Sequence, residues 1–195
     1  MLRIEERNSS VLSNGLVTAI SEGAVTILAT SGSATKTASI TVSQVASSVT
    51  LAPTSKTFTS VGDTVTVVPT VKDARGTTMS GATVTWSSSN TSYATVSSAG
   101  LVTSVADGSA TITATSGSAT KTASITVSQV ASSITLTPTS KTLTSIGETV
   151  TIAAIVKDAG GTTISGATVT WSSSNTSYAT VSSAGLVTSV ADGSA

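Results

Sequence analysis

The chain contains no histidine and no cysteine, and only five of its 195 residues are aromatic. Without imidazole or thiol groups it lacks the commonest general base, the cysteine nucleophile, the His/Cys zinc site and any disulfide framework. Charged residues make up 9% of the sequence, against roughly 25% in an average soluble domain. Nine basic residues balance nine acidic ones, so the strongly basic surface that binds nucleic acid or anionic membranes is missing.

Long hydrophobic runs are absent as well. Ser, Thr or Gly interrupts every apolar stretch well short of the ~18 residues of a membrane-spanning helix, so we expect no membrane insertion. Residues 1–7 carry mixed charge with no apolar stretch behind them, and we expect no signal peptide within this chain. The 38% hydrophobic content and mean hydropathy of +0.35 exceed those of disordered chains, which predicts a folded protein.

A long internal repeat organises the sequence. Residues 45–110 align with residues 130–195 without a gap, and 11 of the 66 pairs differ. The segment 29–44 is likewise identical to 114–129. The pattern predicts four regions, which are a non-repeat N-terminus at 1–7, the C-terminal part of a repeat at 8–44, a complete repeat at 45–129, and a repeat without its final strands at 130–195.

The apolar residues within each repeat alternate with hydroxyl residues. Val65 and Val67 alternate with threonines, and the segment from Ala123 to Val127 does the same. This period of two indicates strands with one buried face, and Ser97 to Gly100 has the composition of a hairpin loop. About seven short strands per repeat, with no helical stretch, predict an all-β fold of tandem antiparallel β-sandwiches with immunoglobulin-like Greek key topology.

The segment from Trp86 to Ile112 carries motifs that resemble a known family. It contains Trp-Ser-Ser, then Ala-x-Val, Gly-Leu-Val and a Gly before an Ile strand, and residues 171–195 and 11–27 repeat parts of it. This pattern resembles the group 2 bacterial immunoglobulin-like domain. The resemblance implies an extracellular module that is strung into stalks on bacterial surface proteins and some phage proteins. It implies no catalytic residues and no cofactor, and we expect no enzyme.

Two functions follow from these observations. The first is a structural or adhesive spacer of an extracellular or cell-surface protein, with neighbouring Ig-like domains as partners and an unidentified host-surface or carbohydrate ligand. The incomplete first and last repeats favour the interpretation that the sequence is a piece of a longer protein. The alternative is a filament subunit joined head to tail, in which residues 26–44 of one chain complete residues 130–195 of the next. Decoration of a virion surface is a third interpretation.

Few side chains qualify as site residues. Trp86 and Trp171 share the phase of the buried valines, which predicts core packing rather than sugar binding. Tyr93 and Tyr178 have the opposite phase and are the candidates for ligand contact. Calcium is the one metal that the composition permits, although the acidic residues stand singly. Its candidate ligands at the domain junctions are Asp63, Asp73, Asp107, Glu148, Asp158 and Asp192.

Overall fold

The computed structural model describes residues 9–11 and 15–195, with side chains from residue 15 onward. The predicted non-repeat segment 1–7 lies outside the described residues. Strands and turns make up the described part of the chain, and no helix occurs in it. The all-β prediction is therefore confirmed.

Eighteen strands follow one another along the described chain. The region 8–44 contains β1 (Ser9–Val11), β2 (Val17–Ala19), β3 (Gly23–Ser31) and β4 (Ala34–Val42). The middle repeat contains β5 (Ser48–Ala52), β6 (Ser55–Phe58), β7 (Thr64–Thr66), β8 (Val68–Lys72), β9 (Thr85–Ser88), β10 (Ala94–Val96), β11 (Leu101–Ser104), β12 (Gly108–Ser116) and β13 (Ala119–Val127). The last repeat contains β14 (Ser133–Thr137), β15 (Thr149–Thr151), β16 (Ala153–Lys157), β17 (Ala179–Val181) and β18 (Leu186–Ser189).

The middle repeat has the sheets of a sandwich. Its four-stranded sheet has the order β6-β13-β12-β9, its three-stranded sheet the order β10-β11-β7, and β5 pairs with β8. The chain thus changes sheets between β5 and β6, as strands do at sandwich corners. The pair β10 and β11 is antiparallel, with Val96 opposite Val102, whereas β6 runs parallel to β13, with Phe58 opposite Val127.

The flanking regions hold smaller sheets. In the region 8–44, β1 pairs with β2 and β3 pairs with β4, both antiparallel. In the last repeat β14 pairs with β16, and β15, β18 and β17 form a three-stranded sheet. This last sheet has the same strand pairing as β7, β11 and β10, because its strands are the counterparts of those three in the next repeat.

Backbone contacts divide the chain into two compact units. Unit 1 takes the described residues up to Thr50 together with Thr70–Val84 and Thr115–Thr120. Unit 2 consists of Leu51–Pro69, Thr85–Ala114 and Lys121–Ala195. Within unit 2, the four-stranded sheet buries Phe58, Ile112, Ile125 and Val127. Exposed threonines alternate with them, because successive side chains of a strand point to opposite faces.

Candidate functional site

Each tryptophan is half-buried and packs on a glycine. A Cβ atom added at Gly100 would lie 2.5 Å from the carbonyl oxygen of Val67 and 2.9 Å from Cζ2 of Trp86. The equivalent Cβ at Gly185 would lie 3.0 Å from Cζ2 of Trp171. Gly100 has a φ of 78°, a conformation that favours glycine. The glycine of the predicted hairpin loop therefore serves the turn and also makes room for the indole.

Tyr93 and Tyr178 are half-buried and occupy equivalent positions. A Cβ atom added at Gly108 would lie 2.5 Å from Cδ1 of Tyr93, and one at Gly193 would lie 2.6 Å from Cδ1 of Tyr178. Each ring therefore covers a glycine backbone and is still partly open to solvent. Ligand contact through these tyrosines stays a prediction.

The calcium candidates do not gather into one site. Within the range 15–195, no three His, Cys, Asp or Glu side chains are close enough together to hold a metal ion. Glu148 accepts N–H groups of its own loop, from Thr144 at 2.6 Å and from Ser145 at 3.3 Å, and the bond from Thr144 lowers the pKa of its carboxyl group most. Calcium binding stays a prediction.

Three of the acidic residues, Asp73, Asp107 and Asp158, instead belong to a joint that occurs twice, once in each unit. In unit 1 the backbone N–H of Gln44 donates to Oε1 of Glu22 at 2.8 Å, and its side-chain Nε2 donates to Oδ2 of Asp73 at 3.0 Å. The N–H of Ser47 donates to the carbonyl oxygen of Lys72 at 2.8 Å. Gln44 therefore ties the turn before β3 to the loop after β8.

The second joint has the same bonds one repeat later. In unit 2 the backbone N–H of Gln129 donates to Oδ1 of Asp107 at 2.7 Å, and its Nε2 donates to Oδ2 of Asp158 at 2.8 Å. The N–H of Ser132 donates to the carbonyl oxygen of Lys157 at 2.8 Å. The sequence reasoning missed both glutamines, although they end the two identical segments. Their position just before the next repeat was the signal that could have identified them.

Asp158 has the most complete set of donors in the second joint. It is 2% exposed, and its Oδ1 accepts the N–H of Thr162 at 2.8 Å. Its Oδ2 accepts the N–H of Val61 at 3.0 Å in addition to the Gln129 amide. The Gln129 side chain, followed by the backbone donors, lowers the pKa of Asp158 below its ordinary value. In the first joint the Gln44 side chain has the same effect on the pKa of Asp73. Both carboxylates are therefore kept ionised by N–H donors.

On the hairpin β3-β4, Val25 is buried, but other apolar side chains of the same face are more exposed than their counterparts in β12-β13. Ile40 is 37% exposed, whereas Ile125, which holds the same position in β13, is 1% exposed. Ala38 is exposed, and its counterpart Ala123 is buried. A shallow hollow of about 420 Å³ lies over this face, lined by Val17, Ala19, Ile40, Thr41, Val42 and Ser43.

Residues 130–195 have an open apolar face of their own. Ile134 is 53% exposed, whereas its counterpart Val49 is 5% exposed. Val187 is half-buried, and its counterpart Val102 is fully buried. Large exposed apolar groups of this kind mark interaction surfaces when they are contiguous. Among the residues that the structure describes, no helix is able to cross a membrane.

Solved structures of bacterial surface proteins are similar to parts of the chain. The structure of surface layer protein SbsC, domains 1–6, is 26% identical to this chain. The match covers 80% of this chain and 22% of that structure, with a TM-score of 0.42. The Escherichia coli adhesin FdeC is 23% identical, with coverages of 74% and 53% and a TM-score of 0.40. The chain spans about a fifth of the SbsC structure. No curated protein sequence matches it.

The family assignment comes from the sequence of the two later repeats. A family model of the bacterial Ig-like domain, group 2, matches residues 45–127 and 130–195. The two matched segments together cover more than half of the chain. The chain therefore belongs to the group 2 bacterial immunoglobulin-like domain family.

Proposed function

We propose that the chain is a non-catalytic structural module of an extracellular or cell-surface protein, in which its Ig-like repeats act as a spacer or stalk. Membership of the Ig-like family supports a binding or structural role, because the family motifs found here include no catalytic group. A surface rich in Ser and Thr, with 9% charged residues, also suits an extracellular spacer, since its interactions depend little on salt.

The repeated joint is the observation that carries this proposal. Gln44 follows the hairpin β3-β4, and Gln129 follows the hairpin β12-β13. Each glutamine binds one acidic side chain in the turn before its hairpin and another in the following repeat. The two distances are 2.8 Å and 3.0 Å in the first joint and 2.7 Å and 2.8 Å in the second. A linker held by hydrogen bonds at both ends transmits force and sets spacing, whereas a free Gly/Ser linker behaves as a random coil. Each added repeat would then extend the protein by the same step.

Spin labels can test whether the joint is fixed. Thr95 and Thr180 are exposed residues at equivalent positions of two successive repeats, and the absence of native cysteine allows labelling at Thr95→Cys and Thr180→Cys alone. We expect pulsed EPR to give one narrow distance distribution, which Gln129→Ala broadens. The matched control is Gln44→Ala, which should leave this distance unchanged. A broad distribution in the parent chain would refute the spacer proposal.

The surface location needs a cellular test. A membrane-impermeant amine reagent added to intact cells that produce the protein should modify Lys56 and Lys121, which are exposed, while a cytoplasmic marker stays unmodified. Complete protection of the repeats would contradict a surface role. A carbohydrate or host ligand can be sought by glycan array with Tyr93→Ala and Tyr178→Ala as controls, because these two tyrosines stay the predicted contact residues.

A further inference from the structure

The loop 158–162 of the last repeat lies against the loop 59–63 of the middle repeat, and both loops belong to unit 2. The backbone N–H of Val61 donates to Oδ2 of Asp158 at 3.0 Å. A Cβ atom added at Gly160 would lie 3.1 Å from the carbonyl oxygen of Val61 and 3.5 Å from Cβ of Ser60. The backbone at Gly160 therefore lies so close to the middle repeat that a side chain would have little room.

The linker between the two repeats is bonded next to both loops. The N–H of Val130 donates to the carbonyl oxygen of Thr59 at 2.9 Å, and the N–H of Ser132 donates to the carbonyl oxygen of Lys157 at 2.8 Å. These bonds bring the two loops together from either side of the linker. Separation of the loops would strain or break them.

The middle repeat has an arginine where the last repeat has Gly160. Residues 72–78 read Lys-Asp-Ala-Arg-Gly-Thr-Thr, and residues 157–163 read Lys-Asp-Ala-Gly-Gly-Thr-Thr. The exchange of Arg75 for Gly160 is therefore the single difference between these two segments.

The fold of this loop is the same with either residue. The N–H of Thr77 donates to Oδ1 of Asp73 at 2.8 Å, and the N–H of Thr162 donates to Oδ1 of Asp158 at 2.8 Å. The φ angle of Gly160 lies outside the left-handed region, so its backbone conformation does not require glycine. The feature that glycine serves at position 160 is thus the close contact with the preceding repeat.

We propose that the residue at position 160 determines how closely a repeat packs on the repeat before it. Glycine permits the contact between the loops 158–162 and 59–63. An arginine at this position, as in the repeat that contains Arg75, keeps the fold of the loop but opens the contact. The order of repeats with glycine and with arginine would then set the pattern of close and open joints along a stalk. This inference rests on the proposed spacer function, which requires a fixed joint.

A longer side chain cannot avoid the contact by turning towards solvent, because the backbone fixes the position of its Cβ atom. At 3.1 Å from the carbonyl oxygen of Val61, that atom pushes the two loops apart, and the rest of an arginine side chain beside Ser60 widens the gap. The bond from Val61 to Asp158 then lengthens. The buried carboxylate of Asp158 loses one of its N–H donors, and a hydrogen bond to a charged acceptor is among the stronger ones in a protein.

Amide hydrogen exchange followed by NMR tests the inference on the 195-residue chain. In Gly160→Arg we expect the N–H of Val61 to exchange roughly tenfold faster than in the parent chain, because it loses a charged acceptor. The N–H of Thr162 should keep its rate, since its bond to Asp158 lies within the loop. Gly160→Gln, which adds no charge, should act in the same direction.

The matched control is Ala159→Arg. Ala159 is exposed, and so is its counterpart Ala74, so the same charge and bulk one residue earlier should leave both exchange rates unchanged. An unchanged rate at Val61 in both Gly160 variants would overturn the inference, as would equal acceleration by Ala159→Arg. If Gly160→Arg also accelerates Thr162, its loop has unfolded and Gly160→Gln decides, because it must accelerate Val61 alone.

The spin-label distance between Thr95→Cys and Thr180→Cys separates this inference from the proposed function. We expect Gly160→Arg to shift or broaden the narrow distribution of the parent chain. A broad distribution in the parent chain would refute the fixed joint itself. A narrow distribution that Gly160→Arg leaves unchanged would refute only the role of residue 160.

Discussion

Ile40 and Ile125 allow the same substitution to be made at the same position of two identical segments. Ile125 is 1% exposed, and Ile40 is 37% exposed. Replacing a buried Ile by Ala costs about 2–5 kcal/mol, through lost burial and the cavity left behind. We take about 3 kcal/mol for Ile125→Ala, a large share of the roughly 5–15 kcal/mol that stabilises a typical domain. Ile40→Ala should cost less than Ile125→Ala, since about a third of Ile40 is already exposed to water.

Urea denaturation followed by tryptophan fluorescence measures the difference. Trp86 lies on β9, in the same sheet as Ile125, and a Trp171→Phe background leaves it as the one fluorophore of this type. With a slope of about 1.5 kcal/mol per M urea, Ile125→Ala should lower the midpoint by about 2 M. Ile40→Ala should lower it by a clearly smaller amount. Equal shifts for the two variants would refute the assignment of one face as buried and the other as open.

Further predictions concern the turns, the joint and the repeat boundaries. Gly100→Ala should destabilise by about 1–3 kcal/mol more than Gly76→Ala in chemical denaturation, because both have positive φ but only Gly100 also meets Trp86 and a carbonyl oxygen. The lowered pKa of Asp158 gives stability that is present above its unfolded value of about 4 and lost as pH falls through the folded pKa. In thermal melts, Asp158→Asn should reduce this loss of stability at low pH. Limited proteolysis should leave a resistant fragment near 45–129, and an unstable 45–129 region would contradict the repeat boundaries. A calcium titration followed by thermal melting tests the calcium candidates, and an unchanged Tm would exclude them.

The strands could be predicted from sequence because their signal is local. Alternation of Val, Ile and Ala with Thr marks the buried face of β12 and β13, and Gly100 marks the loop between β10 and β11. The family motifs from Trp86 onward led to the same fold. These features depend on neighbouring residues only, so a single copy of the repeat was enough to recognise them.

The missed features depend on partners that are distant in sequence. The sequence Thr-Trp-Ser-Ser is a strand at 85–88 and not at 170–173, and no local property can separate two identical segments. The role of Gln129 depends on Asp107 and Asp158, which lie 22 and 29 residues away. The half-buried ring of Tyr93 covers Gly108, a contact that the alternation along one strand does not reveal.

The distance between spin labels at Thr95→Cys and Thr180→Cys tests most directly that successive repeats are held by a fixed joint. The backbone N–H of Gln129 donates to Asp107 at 2.7 Å, and its side-chain Nε2 donates to Asp158 at 2.8 Å. We therefore expect pulsed EPR to give one narrow distance distribution, which Gln129→Ala broadens and Gln44→Ala leaves unchanged. A broad distribution in the parent chain, or an unchanged distribution in Gln129→Ala, would contradict the account.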